Sequence, residues 1–171
     1  MYFERITPDS FLFDAVKLIY ETSFPSDEKR ELDLLLFDKK DYSLMAAVED
    51  RVIGFISFWD FGTFIFIEHL AVEKELRNQG IGSKMLGEFM NKYQNIILEV
   101  EKPQNEQQYL RIKFYEQFGF KLNHYPYVQP SYGKGKSPVP LYLLTYPRPL
   151  NLDQFTNIKK KLYEIVYDNS K

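Results

Sequence analysis

The chain has 171 residues, a length typical of one compact domain. Its 22 Lys and Arg against 24 Asp and Glu leave a formal charge of −2, so the bulk charge attracts neither nucleic acid nor an anionic membrane. The absence of cysteine excludes disulfides, thiolate nucleophiles and cysteine–metal sites, and two histidines make a metal site unexpected. No apolar run approaches the roughly 20 residues of a membrane span, which predicts a soluble, cytoplasmic protein.

Apolar spacing predicts the elements of the first half of the chain. A helix with Asp9 or Ser10 as its cap is followed by a second helix after Pro25. A hairpin and a further strand rich in Phe, Ile and Val come next. In chain order, the predicted elements are helices over 11–24 and 28–37, then strands over 44–48, 52–58 and 64–72.

The second half alternates helices and strands, ending in an amphipathic helix over 151–167. Asn151 and Gln154 resemble a capping box for that helix. Its apolar side is expected to carry Phe155, Ile158, Leu162 and Ile165. The elements before it are a helix from Gly80, a strand over 95–100, a helix over 104–118 ended by Gly119, and strands over 121–128 and 139–146. This order predicts an α+β fold with a mixed sheet and helices packed on it.

The stretch Arg77-Asn78-Gln79-Gly80-Ile81-Gly82-Ser83, between a strand and a helix, carries the chemistry. Glycines at a helix start let a ligand approach unpaired N–H groups, which attract anions such as a pyrophosphate. A Walker loop would need a Lys-Ser or Lys-Thr pair that is missing here. A dinucleotide fingerprint would need a third glycine where Met85 stands, although Glu99 falls roughly 20 residues downstream. The remaining interpretation is an acyl-CoA turn, Arg/Gln-x-x-Gly-x-Gly/Ala.

Three motifs in order resemble the GNAT superfamily of acyl-CoA-dependent N-acetyltransferases, in its small bacterial form. They are the turn at 77–83 with the preceding strand Glu-His-Leu-Ala-Val at 68–72, the strand at 52–55, and the helix signature Phe-Tyr-Glu-Gln-Phe-Gly-Phe at 114–120. The resemblance covers about residues 40–125. It implies one N-acetyltransferase domain over 1–171, with a C-terminal hairpin and helix over 126–171. The implied fold is a GNAT-type twisted mixed β-sheet flanked by helices in three layers, α/β/α.

The resemblance implies acetyl-CoA as the cofactor. Its pyrophosphate would bind the turn, and its pantetheine arm would bond the strand that leads into the turn. The family often has Asn and Ala where this chain has Gln108 and Arg111, and Gln108 keeps an amide for the pantetheine. The implied cofactor-binding residues are Leu70, Ala71, Val72, Arg77, Asn78, Gln79, Gly80, Ile81, Gly82, Ser83 and Gln108.

The implied reaction is direct attack of a primary amine on the thioester in a ternary complex. Glu68 would remove the amine's proton, directly or through a water, and Tyr115 would donate a proton to the departing thiolate. Each has a structural alternative. Glu68, a lone carboxylate in an apolar strand, would be stable in a salt bridge, and Tyr115 would fit a core position.

The acceptor is expected to be a small-molecule or peptide amine. No nucleic-acid or membrane partner is expected for the protein, and a homodimer remains possible. Aromatic and acidic residues on three segments would suit a cation. The expected substrate-binding residues are Phe24, Glu28, Trp59, Tyr127 and Tyr132. Two other function classes stay open: a catalytically silent CoA-binding or regulatory module, and a dinucleotide-binding oxidoreductase.

Overall fold

The structure, a computed structural model, describes residues 1–133 and 135–168. Residue 134 and residues 169–171, which belong to the predicted C-terminal segment 126–171, lie outside the described residues. The chain divides into two compact units, Met1–Tyr93 and Gln94–Lys171. Within the described residues, no helix is both long and apolar enough to cross a membrane. The single N-acetyltransferase domain stays a prediction.

The first unit contains four antiparallel strands in the order β1-β2-β3-β4, with two helices between β1 and β2 and a third after β4. The strands are β1 (Tyr2–Ile6), β2 (Tyr42–Val48), β3 (Val52–Asp60) and β4 (Ile65–Val72). The helices are α1 (Phe13–Ser23), α2 (Leu32–Asp38) and α3 (Ile81–Lys92), with 3₁₀ turns at Ser26–Glu28 and Lys74–Leu76. Most of these strands and helices lie where the apolar periodicity predicts them.

Two sequence-based expectations for the first unit need correction. Strand β1 was not predicted, because five residues at a chain end show no full alternation, yet it pairs along its whole length with β2. The predicted cap at Asp9 or Ser10 is wrong, since α1 begins at Phe13 and Leu12 occupies the cap position. The Ser10 hydroxyl instead accepts a hydrogen bond from the Thr7 backbone N–H in the preceding turn.

Strand β3 is the most buried strand of the first unit, and at Gly54 it leaves no room for a side chain. Every residue of β3 except Asp60 is buried. A Cβ placed on Gly54 would lie 2.5 Å from the Ala71 carbonyl oxygen and 2.8 Å from the Met85 sulfur. The absence of a side chain at this position therefore lets β4 and α3 pack against β3.

The second unit contains three strands in the order β5-β7-β6, with antiparallel pairing throughout. They are β5 (Ile96–Glu101), β6 (Lys121–Gln129) and β7 (Val139–Tyr146). The helices are α4 (Glu106–Gln117) and α5 (Leu152–Lys161), and α5 continues into one π-helical segment, Leu162–Val166. Gly119, with φ of +88°, follows α4 as a left-handed residue, as its predicted role at the helix end requires.

The C-terminal helix follows the prediction at its start and departs from it at its end. The capping box between Asn151 and Gln154 is confirmed, with both reciprocal hydrogen bonds present. The placement of Ile165 on the apolar side is wrong, because Ile165 is exposed while Val166 and Tyr167 are buried. In the π-helical segment the Tyr167 N–H donates to the Leu162 carbonyl, five residues back, so each residue turns through a smaller angle than in an α-helix.

Candidate functional site

The turn that leads into α3 ends at Gly80, where the sequence predicts the start of the helix. Asn78 and Gly80 both adopt left-handed conformations, with φ of 63° and 79°. The first helical bond runs from the Lys84 N–H to the Gly80 carbonyl at 3.0 Å, so the N–H groups of residues 81–83 precede the helical ladder. Gly80 occupies the cap position and has no side chain to cap them. Residues 77–80 are exposed, so these donors lie at an open helix N-terminus.

Arg77 holds this turn to its surroundings. Its Nε donates to the Val72 carbonyl at 3.0 Å, at the end of β4, and one Nη donates to the Ser23 hydroxyl at 2.9 Å, at the end of α1. Gln79 donates from its amide to the Glu75 carbonyl at 3.1 Å. A guanidinium has five N–H donors, so contact with a phosphate remains compatible with these bonds. The phosphate contact itself stays a prediction.

A β-bulge in β4 sets the position of Glu68. Ser57 of β3 pairs with His69, whereas the next residue, Phe58, pairs with Ile67, so Glu68 has no residue opposite it in the ladder. Bulges bend a strand and redirect a side chain. Leu70 and Val72, which lie beyond the bulge and are predicted to contact the cofactor, are half-buried, while Ala71 between them is buried.

The redirected Glu68 side chain is only 1% exposed and lies in an ion pair with Arg30. Its second carboxylate oxygen accepts a hydrogen bond from the Trp59 indole N–H at 2.7 Å. The Arg30 guanidinium also lies 5.5 Å from the centre of the Trp59 ring, and the Arg30 backbone N–H donates to the Tyr20 hydroxyl at 2.7 Å. The carboxylate therefore has the salt-bridge partner that its strand position required. Arg30 was missed from sequence, because it lies in a charged stretch without a pattern.

His69, the neighbour of Glu68, is a buried structural histidine. Its Nε2 lies 2.9 Å from the Glu28 carbonyl oxygen, and its Nδ1 lies 3.3 Å from the Ser57 hydroxyl. Burial lowers the pKa of His69. A neutral ring that donates from Nε2 and accepts at Nδ1 satisfies both contacts. Phe24 is half-buried with its ring 4.5 Å from the His69 ring.

Helix α4 carries Tyr115 and Gln108. The Tyr115 ring lies 5.1 Å from that of Phe114 and 5.6 Å from that of Phe120. Burial of the phenol raises the pKa of Tyr115 to about 12, although the residue as a whole is half-buried. Gln108 takes part in the helix start: its side-chain oxygen accepts from the Gln104 N–H at 2.8 Å, and its own N–H donates to the Asn105 side chain.

The two predicted substrate-binding tyrosines, Tyr127 and Tyr132, belong to an aromatic group in the second unit. Tyr127 is buried on β6, and its hydroxyl donates a short hydrogen bond to Glu99. The Tyr132 ring lies 5.2 Å from the Tyr167 ring. Glu99 and Tyr167 were not predicted as functional. Glu99 could have been found from sequence, because it interrupts an apolar strand as Glu68 does.

The chain belongs to the acetyltransferase (GNAT) family, whose model matches residues 10–120. The protein YjbC of Bacillus subtilis strain 168 is 30% identical over 103 residues, or 57% of this chain. The match covers about half, 52%, of the length of YjbC. A solved GNAT-family protein from Bacteroides thetaiotaomicron is 33% identical with a TM-score of 0.92, and the match covers 100% of both chains.

These comparisons confirm the predicted fold class, a GNAT fold with seven strands and five α-helices among the described residues. Arabidopsis thaliana NAA60, solved in complex with acetyl-CoA, has the same fold, with a TM-score of 0.62 over 85% of this chain and 97% of NAA60. At 16% identity that likeness concerns the fold alone. The family match ends at residue 120, so β6, β7 and the C-terminal helix lie outside it.

Proposed function

We propose that the protein transfers an acetyl group from acetyl-CoA to a primary amine, by direct attack within a ternary complex. The observation that carries the proposal is the turn at 77–83. It combines two left-handed residues with an exposed, uncapped helix N-terminus, at the position where the chain matches the family. Three N–H groups and the helix dipole at this place suit the pyrophosphate of coenzyme A.

The strand before the turn supplies the rest of the cofactor contacts in this proposal. The bulge at Glu68 interrupts the regular ladder just before residues 70–72. A pantetheine arm binds there as an added strand would, through backbone groups. A backbone N–H near Val72 polarises the thioester carbonyl.

Tyr115 stabilises the departing thiolate. A phenol with a pKa of about 12 remains protonated at neutral pH and is available as a donor. A thiol has a pKa of about 8.5, so at equilibrium the proton stays largely on the tyrosine. Tyr115 therefore acts by donating a hydrogen bond to the sulfur as negative charge develops there, and complete proton transfer is not required.

The amine must lose a proton before attack, since its pKa near 10 keeps it charged at neutral pH. Glu68 is the proposed base. Both of its oxygens already accept charge-assisted or polar hydrogen bonds, from Arg30 and Trp59. In this proposal a water connects Glu68 to the amine and carries the proton between them. The other role compatible with these contacts is that Glu68 positions Arg30.

A cofactor test comes first. Saturating acetyl-CoA is expected to raise the Tm of the full chain, because a ligand that binds only the folded state stabilises it. NAD(P) is the matched comparison, since a dinucleotide-binding oxidoreductase would respond to NAD(P) instead. No shift with acetyl-CoA would refute the proposed cofactor.

Turnover is tested by thiol release across a library of primary amines. An enzyme is expected to release thiol above the hydrolysis background with at least one amine. The variant Tyr115→Phe should lower kcat while acetyl-CoA affinity stays unchanged. Acetyl-CoA binding without thiol release for any amine would instead identify a silent CoA-binding module.

A further inference from the structure

Arg77 lies in the turn at 77–83, and both contacts of its side chain are made outside that turn. Its Nε donates to the Val72 carbonyl at 3.0 Å, and one Nη donates to the Ser23 hydroxyl at 2.9 Å. Val72 is the last residue of β4, and Ser23 is the last residue of α1. All three residues belong to the first unit. The guanidinium therefore connects the end of a strand to the end of a helix.

The backbone of Val72 faces away from β3. Val72 pairs with Gly54 in the register of β3 and β4, and the Glu73 N–H donates to the Ile53 carbonyl at 2.9 Å. Hydrogen-bonded and non-hydrogen-bonded pairs alternate along an antiparallel ladder, so the Gly54–Val72 pair is of the non-hydrogen-bonded kind. The N–H and the C=O of Val72 therefore both point toward the edge of β4 that lies opposite β3.

This edge of β4 is where the proposed reaction needs a fixed donor. The pantetheine arm runs along β4 in the proposed function, and a backbone N–H near Val72 polarises the thioester carbonyl. Such a donor is effective only when it is held in place before negative charge develops on the oxygen. The bond from Arg77 to the Val72 carbonyl limits rotation of the Val72 backbone, so it also fixes the direction of the N–H on the same residue.

The guanidinium of Arg77 is well suited to hold Val72. A hydrogen bond from a charged guanidinium is stronger than one between neutral groups. The planar group has a second attachment point at the Ser23 hydroxyl, which defines its orientation. Ser23 belongs to α1, and the packing of that helix holds this attachment point in place, since Val16, Ile19 and Tyr20 of α1 are buried.

We propose that Arg77, oriented by Ser23, is a positioning residue that fixes Val72 and thereby the thioester carbonyl of acetyl-CoA, rather than a ligand of the pyrophosphate. The N–H groups of residues 81–83 hold the pyrophosphate in this arrangement. The inference rests on the proposed function, because the thioester belongs to the proposed cofactor.

Isotope-edited infrared spectroscopy of bound acetyl-CoA, labelled with ¹³C at the thioester carbonyl, measures the positioning role without an amine acceptor. A hydrogen bond to a carbonyl lowers its stretching frequency, so acetyl-CoA bound to the parent chain should absorb at a lower frequency than free acetyl-CoA. At saturating acetyl-CoA, Arg77→Met should lose at least about half of this lowering. Ser23→Ala should lose a smaller part, because the bond to Val72 remains.

The affinity for coenzyme A, measured by isothermal titration calorimetry, separates positioning from phosphate binding. If Arg77 positions Val72, Arg77→Met should keep the Kd of coenzyme A within about 3-fold of the parent value. If Arg77 binds the pyrophosphate, the same variant should weaken coenzyme A at least about 10-fold and leave the carbonyl frequency of bound acetyl-CoA unchanged. The second pair of results would overturn the proposal.

Two further variants are the matched controls. Glutamine carries its amide nitrogen as many bonds from Cα as arginine carries its Nε. Arg77→Gln therefore keeps a donor for Val72 without the charge and should retain most of the frequency lowering. Lys74→Met removes one positive charge from an exposed side chain of the preceding 3₁₀ turn, and it should change neither the frequency nor the affinity. Losses in Arg77→Gln or Lys74→Met as large as in Arg77→Met would contradict the assignment.

Folding and the proposed function are checked separately. Arg77 is exposed and Ser23 is half-buried, so the variants are expected to fold, which circular dichroism verifies. If Arg77→Met does not fold, Ser23→Ala still tests the proposal, because it deletes a single oxygen atom. Failure of the parent chain to bind acetyl-CoA refutes the proposed function. Binding by the parent with a lowered carbonyl frequency that Arg77→Met and Ser23→Ala both keep in full refutes the positioning role alone.

Discussion

The ion pair between Arg30 and Glu68 offers the sharpest test of how the first unit is stabilised. The Glu68 side chain is 1% exposed and the Arg30 side chain 13%, so water screens neither charge well. Removing one partner of such a pair leaves the other charge buried, which costs about 3–5 kcal/mol. A natural domain has only about 5–15 kcal/mol of stability in total. We therefore expect Arg30→Met to remove a large part of the free energy of unfolding, so that the protein unfolds at a much lower urea concentration than the parent chain.

A double-mutant cycle measures the pair itself. Arg30→Met, Glu68→Gln and the double variant are unfolded in urea, with the fluorescence of Trp59 as the signal. Trp59 is the single tryptophan of the chain and donates to Glu68, so it reports on the site directly. The double variant should be more stable than the sum of the single losses predicts, with a coupling of about 1–3 kcal/mol. The matched control is Asp33→Asn, which breaks the more exposed Lys17–Asp33 pair and should cost less than about 1 kcal/mol.

Additive losses, or a cost below about 1 kcal/mol for Arg30→Met, would refute this account of the buried pair. The same variants separate the two roles of Glu68. If Glu68 is the base, Glu68→Gln lowers kcat and removes the acidic limb of the pH–rate profile, while Arg30→Met keeps that limb. If Glu68 positions Arg30, both variants lower kcat to a similar extent, and the limb persists in Glu68→Gln.

Three further predictions concern the turn, the core and the pH dependence of stability. Gly80→Ala and the control Gly62→Ala both place a side chain in open space at positive φ. Calorimetry should therefore show that both variants lose about 1–2 kcal/mol of folding stability. Only Gly80→Ala should weaken the binding of acetyl-CoA. Gly54→Ala places a Cβ 2.5 Å from a backbone oxygen, so urea unfolding should show a loss of at least about 1–3 kcal/mol, and a neutral result would contradict the packing. Burial lowers the pKa of His69, so below its ordinary value of 6.5 the unfolded chain binds a proton that the folded chain does not. Stability should therefore fall from pH 7 to pH 5; His69→Gln should flatten this dependence, and the exposed His124→Gln should not.

The helix start and the capping box could be predicted from sequence because each depends on local backbone. Glycine at position 80 favours the left-handed conformation that opens the helix N-terminus, and the structure has φ of 79° there. The capping box at Asn151 likewise involves residues three apart. The π-helical segment could not be predicted in this way, because its apolar pattern is also compatible with a continuing α-helix.

The other features that could not be predicted from sequence depend on contacts between residues far apart in the chain. Glu68 could be recognised as a carboxylate that needs a partner, but its partner Arg30 lies 38 residues earlier. The bulge that redirects Glu68 appears only when β3 and β4 pair. Glu99 and Tyr167, 68 residues apart, meet only because β5 and the C-terminal helix fold into one compact unit.

By itself, the sequence determined the family, the fold class and the backbone of the turn at 77–83, because these depend on short motifs whose glycines and apolar periods act locally. Tertiary structure decided which charges are paired and which aromatics surround a carboxylate. An ion pair such as Arg30–Glu68 and a hydrogen bond such as Tyr167–Glu99 form between segments distant in the chain, and burial then gives them their strength. The aromatic residues, 17% of the chain, illustrate the difference: their share does not say where they pack, and only the fold placed Trp59 beside Glu68 and Tyr127 beside Glu99.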